Sequence, residues 1–124
     1  AWDTVSALGL PQFVPGSKWL NRKYGFHNAV LTSKITAARH AIAIDELRPT
    51  FRHVPFGRDK VVELNQRAEK LRGRACEEWE RPYMEKWFPG VHGAVGGGGA
   101  RRGLSDSALG WVLTGARRAG LDVR

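Results

Sequence analysis

Proline and glycine set the length of every element this chain can form. Six prolines (Pro11, Pro15, Pro49, Pro55, Pro82 and Pro89) and a run from Gly96 to Gly99 interrupt the sequence. Proline lacks an amide donor and fixes φ, so helices and strands stop at or near it. Between these stops lie short apolar runs and stretches of helical spacing. At 124 residues there is room for one domain. No apolar run approaches the roughly 20 residues that span a bilayer.

Residues 1–5 read as the end of a strand, followed by a loop punctuated by Gly9, Pro11 and Pro15. Residues 16–28 carry Trp19, Leu20, Tyr24 and Phe26 without a regular period. Ile35, Ala38, Ile42 and Asp45-Glu46 predict a helix over 31–46, capped by Ser33 and stopped by Pro49. Residues 50–55 read as extended. Val61, Leu64, Ala68, Leu71, Ala75 and Trp79 predict a second amphipathic helix, weakened at Gly73 and closed by Pro82. Residues 86–89 read as a strand running into Gly90-Val91-His92. Residues 104–119 form the best-defined helix. Ser105 or Asp106 is its expected cap, Leu109, Val112, Leu113 and Ala116 its buried side, and Gly120 its left-handed stop.

The 20 Lys+Arg against 12 Asp+Glu give a net charge of +8. Such a surface attracts anions without specificity, and the basic residues are scattered rather than gathered on one motif. No zinc-finger spacing and no RNA-binding sheet motif is present, so nucleic acid is not the expected partner. The single Cys76 excludes an internal disulfide and fits a reducing compartment. The chain begins Ala1-Trp2-Asp3 with no secretory signal pattern, so synthesis in the cytoplasm is expected. Either a segment has been removed upstream or the sequence is a piece of a longer chain.

Two polar residues share one placement. Asp3 follows Ala1-Trp2, and His92 follows Trp87-Phe88-Pro89-Gly90-Val91. Loops beyond the carboxyl ends of strands are where open α/β sheets build their sites. A carboxylate followed later by an imidazole matches the Asp…His order of an α/β-hydrolase triad. There the imidazole takes the serine proton and the carboxylate fixes its tautomer. On spacing alone, a structural role for both residues is the commoner outcome. The other candidates reduce to structure more readily. His40 reads as a core or hydrogen-bonded histidine on a helix, and Asp45-Glu46 as helix-surface charge with no spacing for a metal. The glycine run lacks the Lys-Ser/Thr pair of a P-loop and reads as a flexible turn. Cys76 reads as an inert thiol on the second helix. No cofactor and no metal is expected.

Longer blocks carry a resemblance. Trp2-Asp3-Thr4-Val5-Ser6-Ala7-Leu8-Gly9-Leu10-Pro11, Phe26-His27-Asn28 and His40-Ala41-Ile42-Ala43-Ile44-Asp45-Glu46-Leu47-Arg48 with Phe51 form the first group. Trp87-Phe88-Pro89-Gly90-Val91-His92, Val95-Gly96-Gly97-Gly98 and Gly103-Leu104-Ser105-Asp106-Ser107-Ala108-Leu109-Gly110-Trp111-Val112 form the second. In this order they resemble the α/β-hydrolase-like family that includes the type VI secretion phospholipase effector catalytic domain. The resemblance spans nearly the whole chain, with a helical insertion at about 59–81.

The resemblance implies an α/β fold in which residues 1–124 are the C-terminal half of an α/β-hydrolase-like domain. Short strands would end in the Asp and His loops, flanked by helices. It implies a serine esterase or phospholipase acting on lipid carboxyl esters, with Asp3 as triad acid and His92 as general base. It also places the first strand and the Gly-x-Ser-x-Gly elbow in a missing N-terminal half. Ser6, Ser17, Ser33, Ser105 and Ser107 all lack the flanking glycines of that elbow. The nucleophilic serine is therefore absent from this chain, and the isolated chain is expected to be inactive. Lipid ester is the implied substrate of the parent, anionic membrane a further partner, and a dedicated secretion system a route of export. One departure concerns the histidine loop, where the family usually reads His-Ser-Asp-Val-Gly and this chain reads His92-Gly93-Ala94-Val95-Gly96. The competing expectations are a basic, non-catalytic module binding nucleic acid or anionic membrane, and a degenerate hydrolase remnant with an incomplete sheet.

Overall fold

Two six-residue strands, β1 (Ala38–Ala43) and β2 (Tyr83–Phe88), run parallel and in register from Ala38 opposite Tyr83 to Ala43 opposite Phe88. The computed structural model describes Pro15 and residues 31–32, 34–51, 53–98 and 100–122. Parallel strands need a crossover. Here it contains α1 (Arg58–Arg72). After β2 come a short helix, α2 (His92–Gly96), and the long α3 (Gly103–Arg118). The described residues thus form a small mixed α/β unit with the strands between helical layers.

The two faces of the strand pair bury different things, because side chains alternate along a strand. Ala38 and Tyr83 pack with Leu31, Leu64, Phe56 and Val61 on the α1 side. Ala41, Ala43 and Phe88 pack with Val95, Ala108, Trp111 and Val112 on the side of α2 and α3. Asn65 of α1 closes the outer edge of β2 at its start. Its Nδ2 donates to the Tyr83 carbonyl at 2.9 Å, and its Oδ1 accepts the Tyr83 amide at 3.1 Å.

The helix predicted over 31–46 does not form, and its centre is β1. Residues 40–43 are buried one after another because helices cover both faces of the strand. A strand buried on both faces has no alternation, and spacing alone cannot separate it from a buried helix. His40 therefore sits on a strand. Ser33, the strand expected over residues 1–5, the loop after it apart from Pro15, and residues 16–28 lie outside the described residues.

Other boundaries shift for local reasons. The second predicted helix begins three residues earlier and stops at Gly73, which is its left-handed cap (φ 70°), not an interior weak point. Cys76 consequently lies beyond the helix. Trp79 belongs to a separate 3-10 turn, Glu78–Glu80, closed by reciprocal bonds between Glu77 and Glu80. Residues 50–55 are not one extended run, since Pro49–Phe51 form a 3-10 turn. The strand expected at 86–89 is longer at its start. In α3 neither Ser105 nor Asp106 caps by side chain; Ser105 Oγ donates back to the Arg102 carbonyl at 2.9 Å. The buried side of α3 centres on Ser105 and Ala108, while Leu109 is exposed. Gly120 is the expected left-handed stop, with φ 95°.

Gly115 of α3 lies against the Arg39 side chain of β1. A Cβ there would overlap Cγ, Cδ and Nε of Arg39. Arg39 cannot easily swing aside, since Nη1 donates to the Trp111 carbonyl at 2.7 Å and the guanidinium lies over the Trp111 ring. A Cβ at Gly110, on the same helix, meets nothing within 4 Å. Gly115→Ala should therefore lower thermal stability, by about 1–3 kcal/mol of overpacking set against about 1 kcal/mol of helix propensity. Gly110→Ala should raise it by up to about 1 kcal/mol. Paired thermal melts of the two variants check both signs.

Candidate functional site

The parallel pairing carries both chain segments past the sheet together. After β1, the Ile44 amide donates to the Phe88 carbonyl at 3.0 Å and the Asp45 amide to the Gly90 carbonyl at 3.2 Å. In return the Gly90 amide donates to Asp45 Oδ2 at 2.7 Å. Gly90 has φ 111°, and a Cβ there would stand 3.0 Å from Leu104 and 3.1 Å from Ala94. Only glycine makes this turn without strain. His92 follows as the first residue of α2, a helix anchored by the fully buried Val95.

Glu46 binds this histidine from the neighbouring loop. The His92 amide donates to Glu46 Oε2 at 3.2 Å. Val91, at the head of α2, supplies no side-chain cap, so the carboxylate serves an amide that helix geometry leaves open. Arg48 grips the same carboxylate with a fork, Nε to Oε1 at 2.8 Å and Nη2 to Oε2 at 2.7 Å, and its amide donates to Oε1 at 2.9 Å. Its guanidinium lies 4.1 Å over the Phe51 ring. Phe51 in turn stands 5.3 Å from the His92 imidazole at an interplanar angle of 46°. The Glu46 side chain is 4% exposed. It was expected to be helix-surface charge. The strand ending at Ala43 instead turns it toward the His92 loop, a role that nothing in its local spacing reveals.

His40 does not join this group. It is fully buried, with Nδ1 3.1 Å from Glu85 Oε1, its partner in the strand register. The Phe56 amide donates to the same oxygen at 2.7 Å, and the Phe56 ring lies 5.0 Å from the imidazole. The core reading of His40 holds. Cys76 is buried too, with Arg72 Nη1 3.2 Å from its sulfur. The glycine run divides: Gly96 ends α2, Gly97 is its left-handed cap, and the Gly98 amide donates to the Gly93 carbonyl at 2.6 Å. Asp3 lies outside the described residues. Among the described residues no group of three His, Cys, Asp or Glu side chains is placed to hold a metal.

Comparison with protein families supplies the context for this loop. The model described as "T6SS, Phospholipase effector Tle1-like, catalytic domain" matches residues 1–115. The chain belongs to this Tle1-like family. Comparison with curated proteins and with solved structures returns no significant match.

In this Tle1-like chain the electrostatics of the site centre on Glu46. The Arg48 side chain, then its amide and that of His92, hold the Glu46 carboxyl at about 2 against burial, which acts the other way. Arg48 is correspondingly raised. Glu80, gripped by Arg74 in a second fork and bonded to the Glu77 amide, also stands at about 2. Both carboxyls are lowered from 4.5, so their stabilisation is complete above about 4.5 and fades as pH falls through 2. Both arginines are more than half exposed, which keeps the effect modest and salt-sensitive. The melting temperature should stay level from neutral pH to about 5 and fall below 4. The Glu46→Gln/Glu80→Gln double variant should start lower and fall less steeply, as thermal melts across that range would show.

Proposed function

We propose that this chain provides the acid and the base of a serine phospholipase of the α/β-hydrolase type. Membership of a phospholipase effector catalytic-domain family supports a lipid-hydrolase function. The observation that carries the assignment to His92 is its place: a half-buried imidazole in the loop beyond the carboxyl end of β2, with its amide bonded to Glu46 and its ring against Phe51. That is where open α/β sheets assemble catalytic groups. Asp3 is the proposed carboxylate partner, on the family resemblance of its segment and its order along the chain. None of the five serines lies in a Gly-x-Ser-x-Gly elbow, so the nucleophile is assigned to a segment outside this sequence. Residues 1–124 are accordingly read as the C-terminal part of the catalytic domain, with a helical insertion at about 59–81.

The chemistry is a two-step acyl transfer. The serine hydroxyl attacks the ester carbonyl while His92 accepts its proton. The tetrahedral intermediate collapses, the ester C–O bond breaks, and His92 returns the proton to the departing alkoxide. Water, deprotonated by His92, then attacks the acyl-serine, and His92 hands the proton back to serine as the carboxylic acid leaves and ionises in solvent. Asp3 keeps the imidazole in the tautomer that makes each transfer possible.

The surroundings of His92 suit a lipid substrate. Leu47, beside Glu46, is 89% exposed, and Ile44 and Val91 on the adjoining turns are about half exposed. These apolar side chains, on a chain of net charge +8, favour contact with an anionic bilayer. Delivery by a type VI secretion system fits the family. Among the described residues no helix is long and apolar enough to cross a membrane.

Two measurements check the reading. In the protein that carries this chain with its nucleophile, His92→Ala should reduce hydrolysis of phospholipid vesicles by at least ~10⁴-fold. Ester turnover by the isolated 124 residues that vanished in His92→Ala would contradict the placement of the nucleophile. Leu47→Asp should weaken hydrolysis of anionic vesicles about tenfold, each buried methylene being worth about 0.8 kcal/mol, while sparing a soluble short-chain ester.

A further inference from the structure

We propose that Glu46 and Arg48 are positioning residues for His92, acting as a clamp that sets the imidazole from behind. The proposal rests on the reading of His92 as the base. A catalytic histidine needs more than a carboxylate on its ring. Its backbone must be fixed, since a displacement of about 1 Å at the reacting group can cost 10²-fold in rate.

The β2–α2 loop is weakly restrained by its own sequence. α2 has only five residues, three of them among Gly93, Gly96 and other small side chains such as Ala94, and Val91 offers no cap. The restraint comes from the β1 loop, in three places. Asp45 exchanges bonds with Gly90 in both directions, at 2.7 and 3.2 Å. Glu46 takes the His92 amide at 3.2 Å. Phe51 stands against the imidazole, with the Arg48 guanidinium 4.1 Å over its ring.

Arg48 ties the last two together. Its fork on Glu46 fixes both carboxylate oxygens, so Oε2 faces the His92 amide in one orientation. The same planar group lies on Phe51, the surface that meets the imidazole. One side chain thus sets both the backbone and the ring of His92. Lysine would keep the charge but lose the fork and the stack. The sequence encodes the device compactly, as Asp45-Glu46-Leu47-Arg48 and Phe51 directly after β1.

The test uses the full-length protein, labelled with ¹⁵N-histidine, together with its phospholipid turnover. There are four histidines in this chain, and the His92 amide signal is assigned by its loss in His92→Gln. It should shift as Glu46 titrates in acid, and the shift should vanish in Glu46→Ala. Glu46→Ala should lower kcat about 10- to 100-fold with KM changed less than twofold. Arg48→Lys should fall between wild type and Glu46→Ala. A merely structural role would lower the amount of folded enzyme and leave kcat per folded molecule unchanged, and that result overturns the proposal. If Glu46→Ala does not fold, Arg48→Met replaces it, with the same drop in kcat expected and an unchanged kcat overturning the clamp. Loss of turnover in His92→Ala with full turnover in Glu46→Ala would refute the clamp and keep the base. Full turnover in His92→Ala would overturn the base and the clamp with it, whatever the amide signal shows.

Discussion

The register between β1 and β2 is the constraint from which the rest of the site follows. Ala43 pairs with Phe88, so the chain leaves both strands at the same level of the sheet. Ladder bonds then continue beyond the strands through Ile44 and Asp45 to Phe88 and Gly90. A slip of one residue would send every side chain to the opposite face. It would also move Glu46 away from the amide of His92. The strand pairing and the geometry of the loop are therefore one feature, not two.

Buried polar groups on the α1 face work to the same end. His40 and Glu85 stand opposite each other in the ladder, and Glu85 also receives the Phe56 amide. Among the described residues no buried side-chain nitrogen or oxygen is left without a hydrogen bond. Polar groups placed this way resist a shifted register, because each would lose a partner it cannot replace in the interior. On the opposite face, Arg39 crosses α3 at Gly115 and lies on Trp111. Burial and the nearby Arg118 both lower the pKa of Arg39, a cost set against its bond to the Trp111 carbonyl and its contact with the ring.

The sequence was most readable where one residue type decides the outcome. Gly120 ends α3 as its backbone freedom predicts, and the apolar run before Gly90 is a strand. It was least readable where the deciding contact is distant. Nothing local distinguishes residues 38–43 from a helix, because the burial that makes them a strand comes from α1 on one side and α3 on the other. The same holds for Gly73, whose left-handed turn separates α1 from apolar residues that continue its spacing. His92 could be singled out by its position after an apolar run. Glu46, Arg48 and Phe51 could be quoted as part of a familiar block, but their relation to His92 spans more than forty residues. Asp3 as its partner remains an assignment by resemblance and order along the chain.

Asn65 has one more consequence. With both its amide and carbonyl it occupies the outward backbone groups of Tyr83, much as a neighbouring strand would. Sheets grow by adding strands to open edges, in assembly and in aggregation alike. At this end of β2 an incoming strand would first have to displace a buried, doubly bonded side chain. The residue that fastens α1 to the strand thus also opposes extension of the sheet past β2 at Tyr83.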